Sequence, residues 1–306
     1  MKQLFHITFI TPCFCTGANQ LEAEIRPASI RGCLRWWFRC VGGSAAQESI
    51  VFGSAAGTGS ASALLLRVCN VIRSSKDYAP TYKRLADPGA YLNYFLGAKT
   101  NERPSRLWEN EPDEAVDRCG KSRQTAFYPQ DSSFELELCW LRMCGADIKQ
   151  LFDTALDAFL RFGSLGYRKS RGFGAWCCAE RIEGLEDTKR TFAQLQQYGF
   201  SSEWTNVGGN DFLPALNQIE QKLKANKDLG TGLRYTHPAR AKTALGYSLG
   251  PGQRQASAVY FRPVGYQTRA GAKLLVLLTF QAPDSILGPD VIKPNAIINP
   301  GHRLST

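Results

Sequence analysis

The segment from residue 26 to residue 39 constrains this chain most, because it is strongly basic and strongly apolar at once. It reads RPASIRGCLRWWFR, with four arginines and no acidic residue. On an α-helix, Arg31, Arg35 and Arg39 fall one turn apart and form a cationic stripe. An adjoining face has apolar residues at core spacing, namely Leu34, Trp37, Phe38 and Val41. The segment therefore predicts a helix that is anchored on one face and basic on another.

A row of guanidinium groups suits a polyanion better than a single small anion, because guanidinium binds phosphate bidentately and keeps its charge. The alternative is a helix whose arginines are solvated or paired with carboxylates elsewhere. The whole chain has 37 Lys and Arg against 27 Asp and Glu, for a formal net charge of +10. This balance favours an acidic partner such as nucleic acid.

The composition is that of a packed globular protein, with 43% hydrophobic and 21% charged residues over 306 positions. That length allows two domains with real cores. No apolar run approaches the roughly 18 residues of a membrane span, so no membrane partner is expected. The ten cysteines include no C-x2-C pair, so we predict reduced thiols, no metal or other cofactor, and a cytoplasmic location.

Hydrophobic patterning predicts an α+β fold. The first half follows the β-α-β-β-α-β order of a ferredoxin-like domain. Its predicted elements are a strand at 2–10, the arginine helix, strands at 63–72 and 134–141, a helix at 148–159 and a strand at 175–182. A polar, proline-containing segment at about 73–133 is predicted to be an insertion. We therefore predict a first domain at 1–184.

The second half carries weaker signals. Helices are predicted at 188–198 and 212–227, separated by a polar stretch at 201–210, and strands at 256–262 and 273–280. We predict a second, less complete ferredoxin-like domain at 185–306, so that two such domains lie in tandem.

A glycine-rich loop at 163–174 is a second candidate site. It follows a helix and opens a strand, and it lacks both the G-x-G-x-x-G spacing and the G-K-[S/T] ending of nucleotide-binding loops. Its centre carries Arg168, Lys169 and Arg171 on a backbone expected to be flexible. A phosphate backbone is the natural partner, and the alternative is a tight turn with solvent-facing cations. A further basic patch at 231–242 includes Arg234 and Lys242.

Together these motifs resemble the RAMP superfamily of CRISPR proteins. The matching residues are Thr11-Pro12, Thr16-Gly17, EIRPASIRGCLRWW from Glu24, IVFGS from Ile50 and GYRKSRGFG from Gly166. Within the superfamily, the chain is most similar to the family of first subunits of the Cmr (type III-B) effector complex. The resemblance covers the first 180 residues well and the remainder weakly.

The resemblance implies tandem RRM-like domains in a subunit that binds RNA without cleaving it. Its implied partners are the 3′ part of the guide RNA, the paired target RNA and other subunits of the Cmr effector complex, in antiviral defence. The residues it implies in RNA binding are Arg26, Ser29, Arg31, Arg35, Arg39, Arg168, Lys169, Arg171 and Gly172, to which we add Arg234 and Lys242.

A metal-independent guide-RNA-processing endoribonuclease is the competing interpretation, because some RAMP proteins use histidine acid-base chemistry. The chain has three histidines, His6, His237 and His302. His6 lies within a predicted strand, and His302 lies near the end of the sequence. His237, among Arg234, Arg240 and Lys242, is the one credible general acid or base.

Overall fold

The computed structural model describes residues 2–18, 22–55, 59–75, 127–228, 247–248, 254–255 and 257–287. Most of the predicted insertion at 73–133 lies outside these ranges. The chain divides into two compact units. The first contains residues 1–38, 43–169 and 173–182, and the second contains residues 39–42, 170–172 and 183–306.

Among the described residues up to 178, the elements follow the predicted β-α-β-β-α-β order, with one additional helix. They are β1 (Lys2–Phe9), α1 (Pro27–Cys40), α2 (Ala45–Phe52), β2 (Leu64–Ile72), β3 (Ser133–Trp140), α3 (Ala146–Phe162) and β4 (Trp176–Cys178). Strands β2 and β3 match their predicted positions to within about a residue at each end. Strand β4 begins close to its predicted position but ends early.

The first sheet has the strand order β2-β3-β1-β4, and every neighbouring pair is antiparallel. Phe5 lies opposite Leu136, and both are buried, whereas the next residue, His6, is exposed. On the buried side, the ring of Phe159 in α3 lies 5.0 Å from that of Trp176. One face of the sheet therefore closes the core, and the other face is open.

The apolar face of α1 is buried as predicted, at Leu34, Trp37 and Phe38, and Val41, just beyond the end of the helix, is also buried. The ring of Phe38 meets that of Phe52 in α2 at 5.7 Å, and Phe52 in turn lies 6.1 Å from Phe152 in α3. This run of aromatic contacts joins α1 to the rest of the first unit.

Helix α2 was not expected from hydrophobic patterning, but its start carries a capping box. The Ser44 hydroxyl accepts a hydrogen bond from the Gln47 N–H at 3.3 Å, and the Gln47 side chain accepts one from the Ser44 N–H at 3.0 Å. Ser or Thr followed three residues later by Gln or Glu is the usual signature of this cap. The sequence therefore did contain a signal for α2.

Strand β4 is shorter than the predicted 175–182, because a side chain accepts the next hydrogen bond that a backbone carbonyl of β4 would otherwise accept. Cys178 pairs with Ile7 of β1, but the next N–H of β1, that of His6, donates to the Glu180 carboxylate at 3.0 Å. The chain then forms a 3-10 turn over Ala179–Arg181 instead of continuing as a strand.

Among the strands that the structure describes, β2 lies at an edge of the first sheet, and it carries a bulge. Its register with β3 shifts between Cys69 and Ile72. Asn70 within the bulge has a φ of +47°, and its side chain donates to the Glu135 carboxylate at 2.7 Å. Asn is one of the few residues that adopts this left-handed conformation readily.

The second unit combines helices with a three-stranded antiparallel sheet of order β5-β9-β8. Its elements are α4 (Leu185–Ala193), β5 (Ser201–Asn206), α5 (Phe212–Asp228), β6 (Tyr247–Ser248), β7 (Arg254–Gln255), β8 (Val259–Gln267), β9 (Lys273–Gln281) and α6 (Asp284–Leu287). Within the ranges that the structure describes, no helix is long and apolar enough to cross a membrane.

The polar stretch at 201–210 was expected to separate two helices, but its first part is strand β5. The pairing with β9 supplies the reason, because Trp204 lies opposite Leu278 and its ring meets Phe192 of α4 at 6.0 Å. Phe280 of β9 packs against Phe192 and Tyr260 at 5.5 and 5.1 Å. The core of the second unit therefore includes the interface between α4 and this sheet.

Candidate nucleic-acid interface

The start of α1 presents polar and basic side chains. The helix begins at Pro27, whose fixed φ suits the first helical position. Arg26 and Ser29 are both exposed, and the first turn contains no acidic residue. The Arg26 guanidinium forms no hydrogen bond or ion pair with any residue that the structure describes. This end of α1 therefore offers positive charge that no described carboxylate offsets.

The expected cationic stripe on α1 is interrupted at Arg35. The Arg35 guanidinium donates to the carbonyl oxygen of Gly53 and lies 3.3 Å from the Glu48 carboxylate. Its central carbon lies 5.7 Å from the centre of the Phe52 ring. Arg35 therefore links α1 to the end of α2. For this one arginine, the structure agrees with the alternative in which the side chain pairs with a carboxylate. Arg31 is half-buried and Arg39 exposed, and their contact with RNA stays a prediction.

The first part of the glycine-rich loop is hydrogen-bonded to the segment that follows β1. The Tyr167 N–H donates to the Phe14 carbonyl at 2.7 Å. Gly166 has a φ of +85°, and a Cβ there would lie 2.3 Å from that same carbonyl oxygen. Gly174 and Leu165 are also joined, through a bond of 3.0 Å from the Leu165 N–H. Gly166 therefore allows the loop backbone to pack closely against Phe14.

Lys169 connects the loop to α1. Its amino group donates to the Cys33 thiol at 3.4 Å. Cys33 lies four residues after Ser29 and seven after Arg26, which places all three on one side of the helix. The loop cations and the first turn of α1 therefore share one surface. We call it the loop–helix surface, defined by Arg26, Ser29, Tyr167, Arg168 and Lys169.

Tyr167 and Arg168 form a stacked pair on this surface. The central guanidinium carbon of Arg168 lies 4.8 Å from the centre of the Tyr167 ring. Tyr167 is 57% exposed. Sequence reasoning did not select Tyr167, although aromatic side chains among basic residues are typical of single-strand nucleic-acid binding.

Arg171 and Gly172 belong to the second unit and are interior. Arg171 is 5% exposed, and its guanidinium donates to the Ser257 hydroxyl at 3.2 Å. Gly172 has a φ of +88°, and a Cβ there would lie 2.6 Å from the Ile219 side chain. The structure therefore revises the expectation that these two residues face RNA. Their positions are explained by packing within the second unit.

The open face of the first sheet also carries basic side chains, but each meets a carboxylate. We call this group the sheet-face network, defined by Lys2, His6, Arg67, Glu135, Glu137 and Glu180. Lys2 lies 2.9 Å and Arg67 3.9 Å from Glu137, while the two ring nitrogens of His6 lie 2.5 Å from Glu180 and 3.8 Å from Glu135. The hydrogen bond to Glu180 raises the pKa of His6, and that to Glu137 raises the pKa of Lys2.

The described cysteines are free thiols. Cys13 and Cys15 lie with their sulfurs 3.5 Å apart behind the loop–helix surface, and burial raises the pKa of Cys13. In the part of the chain that the structure describes, no group of three or more His, Cys, Asp or Glu side chains could hold a metal ion. Arg234, His237, Lys242 and His302 lie outside that part.

Comparisons with known proteins agree with the motifs. The family model of the RAMP superfamily matches residues 6–177, which is more than half of the chain. The CRISPR system Cmr subunit Cmr1-2 of Pyrococcus furiosus is 25% identical over 192 residues, covering 57% of this chain and 93% of that protein. The predicted resemblance to Cmr first subunits is thereby confirmed.

A solved structure shows the same fold. The apo crystal structure of Cmr1 from Pyrococcus furiosus matches with a TM-score of 0.54 at 19% identity, covering 97% of this chain and 92% of that one. Since the family model spans both the basic helix and the glycine-rich loop, the chain belongs to the RAMP superfamily.

Proposed function

We propose that this protein is a non-catalytic RNA-binding subunit of a type III-B CRISPR effector ribonucleoprotein, acting in the cytoplasm in antiviral defence. Its ligands are the 3′ part of the guide RNA, the paired target RNA, or both, and its protein partners are other Cmr subunits. The similarity to a Cmr subunit over 93% of that relative's length supports this proposal.

We also propose that two ferredoxin-like domains, 1–184 and 185–306, lie in tandem. In the first, the antiparallel strand order β2-β3-β1-β4 supports the proposal, because a β-α-β-β-α-β chain produces this order in ferredoxin-like domains. In the second, support comes from helices packed on an antiparallel sheet of three strands.

The contact between Lys169 and Cys33 carries the proposal for RNA binding. It joins the loop to the second turn of α1, one helical turn beyond Ser29, and so supports a common surface for Arg26, Arg168 and Lys169. Neither Arg26 nor Lys169 forms an ion pair with a carboxylate among the described residues. Phosphate contact supplies most of the affinity of sequence-independent RNA binding. The proposed contacts are the loop–helix surface with Arg31 and Arg39, and also Arg234 and Lys242.

The salt dependence of RNA binding tests this surface. An Arg26→Ala, Lys169→Ala double variant of the full chain is titrated with a fluorescent single-stranded RNA of mixed sequence at several salt concentrations. Each lost phosphate contact should lower the slope of log K against log salt by about 0.7. Lys149→Ala is the matched control, because Lys149 is an exposed lysine paired with Asp153 at 2.7 Å on α3. An unchanged slope in the double variant would overturn the proposed surface.

Incubation with RNA tests the non-catalytic role. The protein should leave precursor and mature guide RNA intact, with or without divalent metal ions. His237 is the residue to substitute, because it is the one credible general acid or base identified from the sequence. Specific cleavage products that disappear in His237→Ala would instead establish the endoribonuclease.

A further inference from the structure

We propose that Tyr167 is a stacking platform for one unpaired RNA base. This inference rests on the proposed function, because it requires RNA on the loop–helix surface. It adds a base contact to the phosphate contacts proposed for this surface.

Exposure is the first observation. Tyr167 is 57% exposed, and it is the one aromatic residue among the large apolar side chains exposed in the described ranges. The others are Leu4, Ile50, Val71, Ile72, Leu141 and Met143. The aromatic rings of the neighbouring Phe14 and Phe173, by contrast, pack against each other with their centres 5.5 Å apart. Tyr167 is therefore turned away from the aromatic cluster beneath it.

The backbone at Tyr167 is anchored to the segment that follows β1. Its own N–H is bonded to the Phe14 carbonyl at 2.7 Å, and Gly166 lies in close contact with the same group. Arg168 has a φ of +59°, a conformation that residues with a side chain adopt infrequently. A platform that is ordered before binding loses less conformational entropy when a base stacks on it.

Arg168 covers one side of the ring. Its guanidinium carbon lies 4.8 Å from the ring centre, within the range of a cation–π contact. Because Tyr167 remains more than half exposed, the ring still has surface available to a ligand. A base stacked there would have the cations of Arg168 and Lys169 beside it for the adjoining phosphates, an arrangement typical of single-strand binding.

Stacking predicts a particular chemical specificity. Every base offers a π-face, so the contact tolerates any base but requires that one be present. The ring is needed and the phenolic hydroxyl is not. Tyr167→Phe should therefore retain the contact, whereas Tyr167→Ala should lose it.

The experiment compares wild type, Tyr167→Ala and Tyr167→Phe as full chains, with melting temperatures measured to establish folding. The RNA probes are one single strand of mixed sequence and a series in which successive nucleotides are abasic. Tyr167→Ala should weaken binding of the intact strand roughly 5- to 100-fold, and Tyr167→Phe by less than about twofold. At one abasic position, wild type and Tyr167→Ala should bind equally. A 2-aminopurine placed at that position should be quenched by wild type and not by Tyr167→Ala.

The outcomes separate this inference from the proposed function. If Tyr167→Ala binds intact RNA like wild type while Arg26→Ala, Lys169→Ala still lowers the salt slope, the stacking role is overturned and the proposed function stands. If both sets of variants bind normally, the proposed RNA surface itself fails. If Tyr167→Ala keeps RNA affinity but loses copurifying Cmr subunits, Tyr167 is a protein-docking anchor, and the stacking role is again overturned.

Discussion

The two basic surfaces of the first unit differ in what their charges meet. In the sheet-face network, Lys2, Arg67 and His6 each lie beside a glutamate, with the closest pair at 2.5 Å. On the loop–helix surface, the contact that Lys169 makes is with the Cys33 thiol. A phosphate approaching Lys2 or Arg67 would have to displace a carboxylate, whereas one approaching Lys169 would meet a thiol contact instead. The number of basic residues on a surface is therefore a poorer guide to RNA binding than the pairing of those residues.

The largest effect is expected from removing packing on which the loop–helix surface depends. Trp37 in α1 is 3% exposed, and Trp37→Ala should lower the free energy of unfolding by about 3 to 5 kcal/mol. Chemical denaturation with RNA binding measured in parallel would check this. A Trp37→Ala protein with wild-type stability would show that the α1 core is not needed to build the surface.

Charge reversal on the two surfaces tests the comparison directly. Lys169→Glu and Lys2→Glu change the net charge equally, so general electrostatic attraction falls equally in both. Lys169→Glu should lower RNA affinity by about 10- to 100-fold at moderate salt, and Lys2→Glu by less than about threefold. Binding titrations at one salt concentration suffice. Equal losses in the two variants would mean that overall charge, and not the location of the cation, determines RNA binding.

On α1, we expect Arg35 to be a structural residue and Arg31 to be an RNA-binding residue. Arg35→Ala removes the bond to Gly53 and the ion pair with Glu48, and should destabilise the protein by about 1 to 2 kcal/mol. Arg31→Ala should change stability by less than about 0.5 kcal/mol and weaken RNA binding. Thermal unfolding and RNA titration of both variants would measure the two effects. The reverse assignment would restore the arginine stripe as a single binding feature.

The smallest effect concerns pH and the sheet-face network. The hydrogen bond to Glu180 raises the pKa of His6 above its ordinary 6.5. Although burial opposes the change, the bonds from His6 lower the pKa of Glu180 below its ordinary 4.5. The pair therefore contributes stability between about pH 4.5 and 6.5, and this contribution is lost above the raised pKa of His6 and below the lowered pKa of Glu180.

Comparison of wild type with His6→Gln across pH measures this contribution. The melting temperature of wild type should exceed that of the variant most within the window and converge with it at higher pH. RNA affinity should not differ between the two proteins at any pH. A variant that lost RNA affinity as the pH fell would place the sheet face in the binding site.

Local patterns in the sequence predicted the elements that depend on local periodicity. The apolar spacing of α1 and the alternation in β3 gave their boundaries to within a residue or two, because each element buries one face. Strand β5 was missed because its pairing with β9 joins residues far apart in the sequence. The shortening of β4 likewise depends on a carboxylate that reaches back to β1.

The candidate site was predicted in composition but not in geometry. Basic residues could be selected from the sequence, but their partners could not. Arg35 is bonded to α2 and Arg171 to Ser257, and neither partner is close in sequence. Tyr167 was overlooked because its importance comes from exposure and from the turn at Arg168, which only the folded chain reveals.

The bulge in β2 limits how the first sheet can grow. Among the strands that the structure describes, β2 has β3 as its single neighbour. A nine-residue edge strand could template the addition of a foreign strand, which is a common route to aggregation. The register shift between Cys69 and Ile72 bends the strand and breaks the regular spacing of its outward hydrogen-bonding groups. When copies of this protein meet, only the part of β2 before the bulge therefore offers a regular edge for continuous pairing with another strand.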